Sequence, residues 1–203
     1  MCFLFIVNGA NLIDGFNGLL TINLIIINSV LLFINLDNDN VEFSFFLTGQ
    51  IIILISFLLF NFPKAKMFLG DSGSYLFGSM IALNIIISNN LNSNISAFFF
   101  CILLFYIFFE VFFSFFRKLL QRKSPFLPDE YHLHMLIYKN LEKNYPSANN
   151  NYLTSFYLNI AYIALISPGI YFMENPLFSR YLFFVLLVSY TLLYLRLYKS
   201  AKL

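Results

Sequence analysis

Six apolar runs, separated by short polar segments, constrain this chain more than any other feature. They occupy 19–36, 45–60, 74–87, 97–116, 152–172 and 181–197. A helix needs about 20 apolar residues to cross about 30 Å of hydrocarbon, and inside that layer only helices and closed barrels satisfy every backbone N–H and C=O. The pattern therefore predicts an all-α fold, a polytopic transmembrane helix bundle with six full spans. The shorter runs fit helices whose ends dip into a polar cavity rather than project into water on both sides. Residues 1–7 are apolar but too few to span, so the chain is expected to begin inside a truncated first helix. A signal peptide fits less well, because no positive n-region and no small-residue cleavage site precede Asn8. Composition enters as a check: 60% of the residues are hydrophobic and 11% charged, a balance that excludes most soluble domains.

The basic residues give the bundle a direction. With alternating spans, Lys64, Lys66, Arg117, Lys118, Arg122, Lys123, Lys139, Lys143, Arg196, Lys199 and Lys202 all fall on one face. Arg180 falls on the other, together with Asp37, Asp39, Glu42 and Glu174. The positive-inside rule assigns the basic face to the cytoplasm. A net charge of +2 offers no support for nucleic-acid binding. Cys2 and Cys101 lie in apolar runs far apart, without the close spacing of a zinc or redox motif, and are expected to be small buried hydrophobes.

Three polar segments share the basic face. In the first, N-G-A-N-L-I-D-G-F-N-G over 8–18, Asn8, Asn11 and Asp14 recur three apart and lie close to one face of a helix or helix end. Amides beside a carboxylate suit a sugar or base edge next to a metal or phosphate; a plain helix terminus with Asp14 as its cap is the structural alternative. The second, K-A-K-M-F-L-G-D-S-G-S over 64–74, places Asp71 at the mouth of a membrane helix. There it either caps the helix or binds Mg²⁺, while the N–H groups of Ser72, Gly73 and Ser74 receive an anion. Lys64 and Lys66 are membrane anchors or phosphate contacts.

The third segment begins with the basic run from Arg117 to Lys123, whose charge alone fits an anionic-lipid contact. Pro125 and Pro128 then stiffen a loop that holds the only two histidines, His132 and His134, which converge there on a metal or a diphosphate or else are simply solvated. Glu110 sits inside an apolar run, where an acid usually faces protein or a water cavity. A salt bridge within the bundle is its expected role.

Taken together, these segments resemble the polyprenyl-phosphate N-acetylhexosamine-1-phosphate transferases, a family that includes the undecaprenyl-phosphate GlcNAc-1-phosphate and phospho-MurNAc-pentapeptide transferases. The first is similar to that family's N-x-x-N-x-x-D-G-x-D-G, and the second to P-A-K-x-F-x-G-D-S-G-S. The third is similar to R-R-x-x-x-x-x-S-P-F-x-x-D-x-x-H-x-H-H, matched by Arg117, Lys118, Ser124, Pro125, Phe126, Asp129, His132 and His134. The resemblance covers 1–138 by motif, and the rest by hydropathy.

The resemblance implies transfer of a sugar 1-phosphate, GlcNAc-1-phosphate in the first instance, from a UDP-sugar to a polyprenyl phosphate at the cytoplasmic face of the cell membrane. Mg²⁺ is the implied cofactor, and UMP the product released. It assigns Asp14 and Asp71 as catalytic and metal-binding acids and His132 and His134 as catalytic contacts to the diphosphate or nucleotide. Asn8, Asn11, Asn17, Lys66 and Arg117 are the implied substrate contacts. Asn17 and Met135 stand where the family motifs have Asp and His, and the family's aspartate-rich D-D-x-x-D segment is absent. The chain is thus expected to be a single membrane domain over 1–203, the C-terminal part of a larger fold. A second chain carrying the other half, or another copy of this one, would be its partner. A non-catalytic membrane scaffold of the same family is the alternative, whereas no inverted repeat or pair of broken helices speaks for a transporter.

Overall fold

The computed structural model describes residues 2–125, 127, 129–146 and 149–202. Phe126 and Pro128 of the third segment lie outside the described residues. The chain is helical throughout, in the order α1 (Cys2–Ile13), α2 (Leu19–Asp37), α3 (Val41–Asn61), α4 (Gly70–Leu91), α5 (Ala97–Leu103), α6 (Phe105–Leu120), α7 (Leu133–Asn144), α8 (Asn150–Tyr171) and α9 (Pro176–Lys202).

The apolar residues divide into two populations. Leu20, Leu24, Ile27, Leu31 and Ile34 line one side of α2 and are buried against α3, α4 and α8. Ile52, Ile53, Ile55 and Leu59 of α3, like Val185, Val188 and Leu192 of α9, are exposed. Such a surface is stable only in hydrocarbon, which agrees with a membrane bundle.

The number of spans is smaller than the sequence predicts. Among the described residues, α2, α3, α8 and α9 are long and apolar enough to cross, and α5 with α6 makes a fifth if that bent pair counts as one span. The run at 74–87 lies in α4, which has the length but carries polar residues along its buried side, Ser74, Asn84 and Ser88. The run at 97–116 is broken at Leu104, where α5 and α6 meet at 75°. No proline or glycine causes the break. Instead the Tyr162 hydroxyl, from α8, donates to the carbonyl of Leu103 and satisfies an acceptor at the end of α5. Cys101 is exposed rather than buried; the side chain of Cys2 is outside the described set.

Two devices position the helices that lead into the motifs. The short α1 is wedged between α4 and α6 at very close range: a Cβ on Gly9 would lie 2.1 Å from the Ile107 carbonyl oxygen, and one on Gly78 2.8 Å from Ala10 Cβ. Small residues permit this backbone approach, as is common between membrane helices.

The second device is a seam of amides between α2, α3 and α4. Asn84 donates to Asn28 (3.0 Å) and Gln50 (2.9 Å), and Asn92 donates to Asn35 (3.1 Å), which donates in turn to Ser88 (2.8 Å). Asn40 closes the outer end on Asn35 and Asn92. Hydrogen bonds between membrane helices contribute about 0.6 kcal/mol each, up to about 1.7. The seam thus fixes alignment more than it adds stability.

Candidate functional site

The first and second polar segments meet. The α1 helix runs on through the first motif to Ile13, so Asn8 and Asn11 are helical and Asp14 follows directly. Asn11 Nδ2 donates to Asp71 Oδ1 at 3.3 Å. Asp14 Oδ2 accepts from the backbone N–H of Gly70 at 2.9 Å. Asp14 is therefore a cap, but for α4 and not for its own helix. Gly70, with φ 66°, adopts the left-handed turn that aims this N–H across the interface.

Asp71 itself does not cap α4: it lies in the first turn, and Leu69 occupies the N-cap position. The Ser74 hydroxyl turns back to the carbonyl oxygens of Gly70 and Asp71. In an α-helix only first-turn amides lack an intrahelical acceptor, so an anion here would meet the N–H groups of Asp71 and Ser72 rather than that of Ser74.

Two amides absent from the expected site hold these loops together. Asn61, at the end of α3, accepts from the Gly18 N–H (2.7 Å) and donates to the Met67 carbonyl (2.7 Å). Asn151, on α8, accepts from the Asn17 N–H (2.8 Å), while the Asn17 side chain donates to the Pro63 carbonyl (2.8 Å). Asn17 thus acts as a brace between loops. A polar residue closing an apolar helix was the available signal for Asn61. Asn8 bonds within α1, to the Leu4 carbonyl, and Lys66 is exposed, with no side-chain ion pair among the described residues.

Asp14 and Asp71 differ in setting. Asp71 is exposed and Asp14 is buried. Burial pushes the Asp14 carboxyl up to about 6, against the lowering pull of the Gly70 and Leu69 N–H groups. A cation beside it would offset that desolvation. Among the described residues no group of three or more His, Cys, Asp or Glu side chains could hold a metal ion. One or two carboxylates nonetheless suit Mg²⁺, which keeps several waters and takes the remaining ligands from substrate phosphates.

The third segment forms a separate, internally paired cluster. Arg117 and Lys118 are buried, turned inward from α6. Arg117 binds Asp129 at 2.7 Å, and Lys118 lies 3.4 Å from the same carboxylate oxygen. Lys118 Nζ also donates to the carbonyls of Pro125 and Leu127, tying down the loop. Burial acts to raise the Asp129 carboxyl, but the Tyr131 N–H and Arg117 outweigh it and hold the group below its usual range. Of the basic run, Arg122 and Lys123 remain exposed.

His132 and His134 come together as stacked rings, their centroids 5.6 Å apart and their planes 4° from parallel. Both are buried, not solvated. His132 Nδ1 lies 3.2 Å from Glu110 Oε1, within hydrogen-bonding reach of that buried acid. Burial pushes the His134 imidazole down to about 4, Glu110 pulling it up and His132 adding to the decrease. The cluster touches the acids' loop through one ring: Phe16, from the first motif, packs edge-on against His134 (5.2 Å) and Tyr138 (5.7 Å). No hydrogen bond among the described residues joins Asp14 or Asp71 to Arg117, His132 or His134. The hydroxyls of Tyr190 and Tyr194, on α9, reach Glu110 (2.6 Å) and the Tyr131 carbonyl (2.8 Å). Neither tyrosine stands out in an apolar helix read alone.

Residues 1–89 match the family model described as glycosyl transferase family 4, which covers the first two motifs. The undecaprenyl-phosphate alpha-N-acetylglucosaminyl 1-phosphate transferase of Thermotoga maritima is 33% identical over 141 residues, 70% of this chain and 42% of that protein. The phospho-N-acetylmuramoyl-pentapeptide-transferase of Leuconostoc mesenteroides is 42% identical over 80 residues, 39% of this chain and 25% of that one. The chain thus spans less than half the length of these relatives. No solved structure matches it. In its first two motifs and in the helical membrane architecture that brings them together, the chain is similar to glycosyl transferase family 4.

Proposed function

We propose that this chain, as one membrane domain, carries out transfer of a sugar 1-phosphate, GlcNAc-1-phosphate in the first instance, from a UDP-sugar to a polyprenyl phosphate. An oxygen of the lipid phosphate attacks the sugar-bearing phosphorus, and the bond from that phosphorus to the bridging oxygen breaks. UMP leaves with that oxygen and its electron pair. The active face is the cytoplasmic face of the cell membrane, where the basic residues collect. The observation that carries this reading is the junction of the first two motifs, Asn11 on Asp71 and Asp14 on the Gly70 N–H.

Asp71 and Asp14 would hold Mg²⁺, which when bound suppresses repulsion between the two anionic reactants and stabilises charge on the transferred phosphorus. Asn11 orients the Asp71 carboxylate. The first-turn amides of α4 receive a phosphate oxygen, and Lys66 adds a mobile positive charge at the same mouth. His132, held against Glu110, contacts the diphosphate or the nucleotide. The lipid phosphate is a competent nucleophile once deprotonated, so positioning accounts for much of the catalysis.

UMP release from UDP-GlcNAc and undecaprenyl phosphate, measured in membranes, tests the reading. The chain is assayed alone and with a co-expressed family segment that carries D-D-x-x-D. The expected result is Mg²⁺-dependent release that requires the second segment and is abolished by Asp71→Asn. Release unaffected by Asp71→Asn overturns it. A chain with no release in either setting and no Mg²⁺-dependent UDP-GlcNAc binding is a scaffold.

A further inference from the structure

Glu110 does more than neutralise a buried charge. Its side chain is almost wholly buried and meets three groups from two separate segments: the Leu133 N–H at the start of α7 (2.8 Å) with the adjacent His132 Nδ1 (3.2 Å), and the Tyr190 hydroxyl of α9 (2.6 Å). A buried carboxylate needs such donors, but the way they are shared is specific. Oε1 serves both the His132 ring and the adjacent backbone N–H, so the ring and the helix start are fixed as one unit. The other ring nitrogen, Nε2, lies 3.7 Å from Asp129 Oδ1, too far for a direct hydrogen bond. In a histidine, the bond made by one nitrogen sets what the other can do.

We infer that Glu110 is a positioning residue for His132: it accepts a hydrogen bond from Nδ1–H, fixes the ring plane parallel to His134, and leaves Nε2 as the working nitrogen. Tyr190 anchors the far oxygen of Glu110, so α9 contributes to the site without touching any motif residue through that contact. The catalytic consequence rests on the phosphosugar-transfer reading above; the tautomer assignment does not.

The chain contains two histidines, so ¹⁵N-histidine labelling in detergent or nanodiscs yields two ring systems, assigned with His134→Gln. In the wild type, His132 is expected to carry a proton on Nδ1; a wild-type ring protonated at Nε2 alone overturns the inference without any Glu110 variant. Glu110→Met, which keeps the volume and removes the acceptor, should release that proton to Nε2. Glu110→Gln, which retains an acceptor oxygen, should preserve it, and so should Tyr190→Phe, which loosens the same carboxylate but leaves Oε1 in place. A ring unchanged in Glu110→Met, or displaced equally by Tyr190→Phe, makes Glu110 merely structural.

In the transfer assay Glu110→Met should lower kcat on the order of 10–100-fold, the scale for a group that orients a working histidine. In a His132→Gln background it should cost less than about threefold more, because the two act as one unit. Additive losses overturn the positioning role. Absence of transfer in every variant, with the labelling results as expected, overturns the transfer reading and leaves the positioning intact.

Discussion

The two halves of the candidate site solve the same electrostatic problem in opposite ways. The half built from α1, α4 and the 14–18 loop leaves its acids without basic partners: Asp71 is exposed, and Asp14 is steadied by backbone N–H groups alone, its carboxyl raised to about 6. The half built from α6, the 121–132 loop and α7 has already matched its charges, Asp129 with Arg117 and Lys118, Glu110 with His132 and Tyr190. The difference teaches where to look for a ligand's contribution. A cation has most to offset in the first half, whereas the second is already paired internally.

The largest expected effect comes from attacking the open half. Asp71→Asn should reduce UMP release by on the order of 10³-fold, the scale of losing a charge-stabilising group at the reaction centre. Being exposed, the same change should leave thermal unfolding within about 0.5 kcal/mol of wild type. A comparable loss of stability would erase the contrast between the halves.

The closed half should respond in the reverse sense. Arg117→Met leaves the half-buried Asp129 with only the more distant Lys118 and should destabilise by about 3 kcal/mol, read from thermal unfolding in detergent. Adding Asp129→Leu should recover little, because it strands the buried Lys118 and the Tyr131 N–H, both of which Asp129 satisfies. Full recovery would mean that Arg117 and Asp129 matter only to each other.

A third, smaller effect lies in pH. Asp14, raised from 3.8 to about 6, binds its proton more tightly in the fold; its contribution to stability is full below about pH 4 and lost as pH rises towards 6. His134, lowered from 6.5 to about 4, stays neutral in the fold; its contribution is full above pH 6.5 and lost as pH falls through 4. The two slopes oppose each other, so these groups should largely cancel in the wild type. Asp14→Asn should expose a stability that climbs with pH across this window, and His134→Phe one that declines, both measured by unfolding at fixed temperature. An unchanged profile in Asp14→Asn would show that Asp14 ionises normally.

The smallest effect tests the junction. Phe16→Leu removes the edge-on contacts to His134 and Tyr138 and should cost about 1 kcal/mol, with KM for the UDP-sugar rising more than kcat falls. Equal loss in both would place the ring nearer the chemistry.

How much of this was legible in the residues varies along the chain. The helices of α2, α3, α8 and α9 follow from apolar length alone, and the sharing of one face by the polar segments follows from the charges between them. The break at Leu104 was not legible, because it depends on the Tyr162 hydroxyl, 58 positions later by chain number and on a different helix. Asp71 reads locally as a cap, since D-S-G-S before an apolar run has the right chemistry; only the packing of α1 shows that Asp14 has taken that task. Asn17, Arg117 and the two histidines were identified as residues of interest, but their partners Asn151, Asp129 and Glu110 belong to tertiary packing that periodicity does not encode.

The amide seam has a mechanical consequence. Asn28 and Asn35 on α2 engage Asn84 on α4 and Asn92 just past its end, with Gln50 on α3 and Asn40 just before it closing the third side. Sliding α2 along α4 by one turn, about 5.4 Å, would part these amides inside hydrocarbon, where new partners are scarce. The three helices are therefore locked against piston-like displacement along one another.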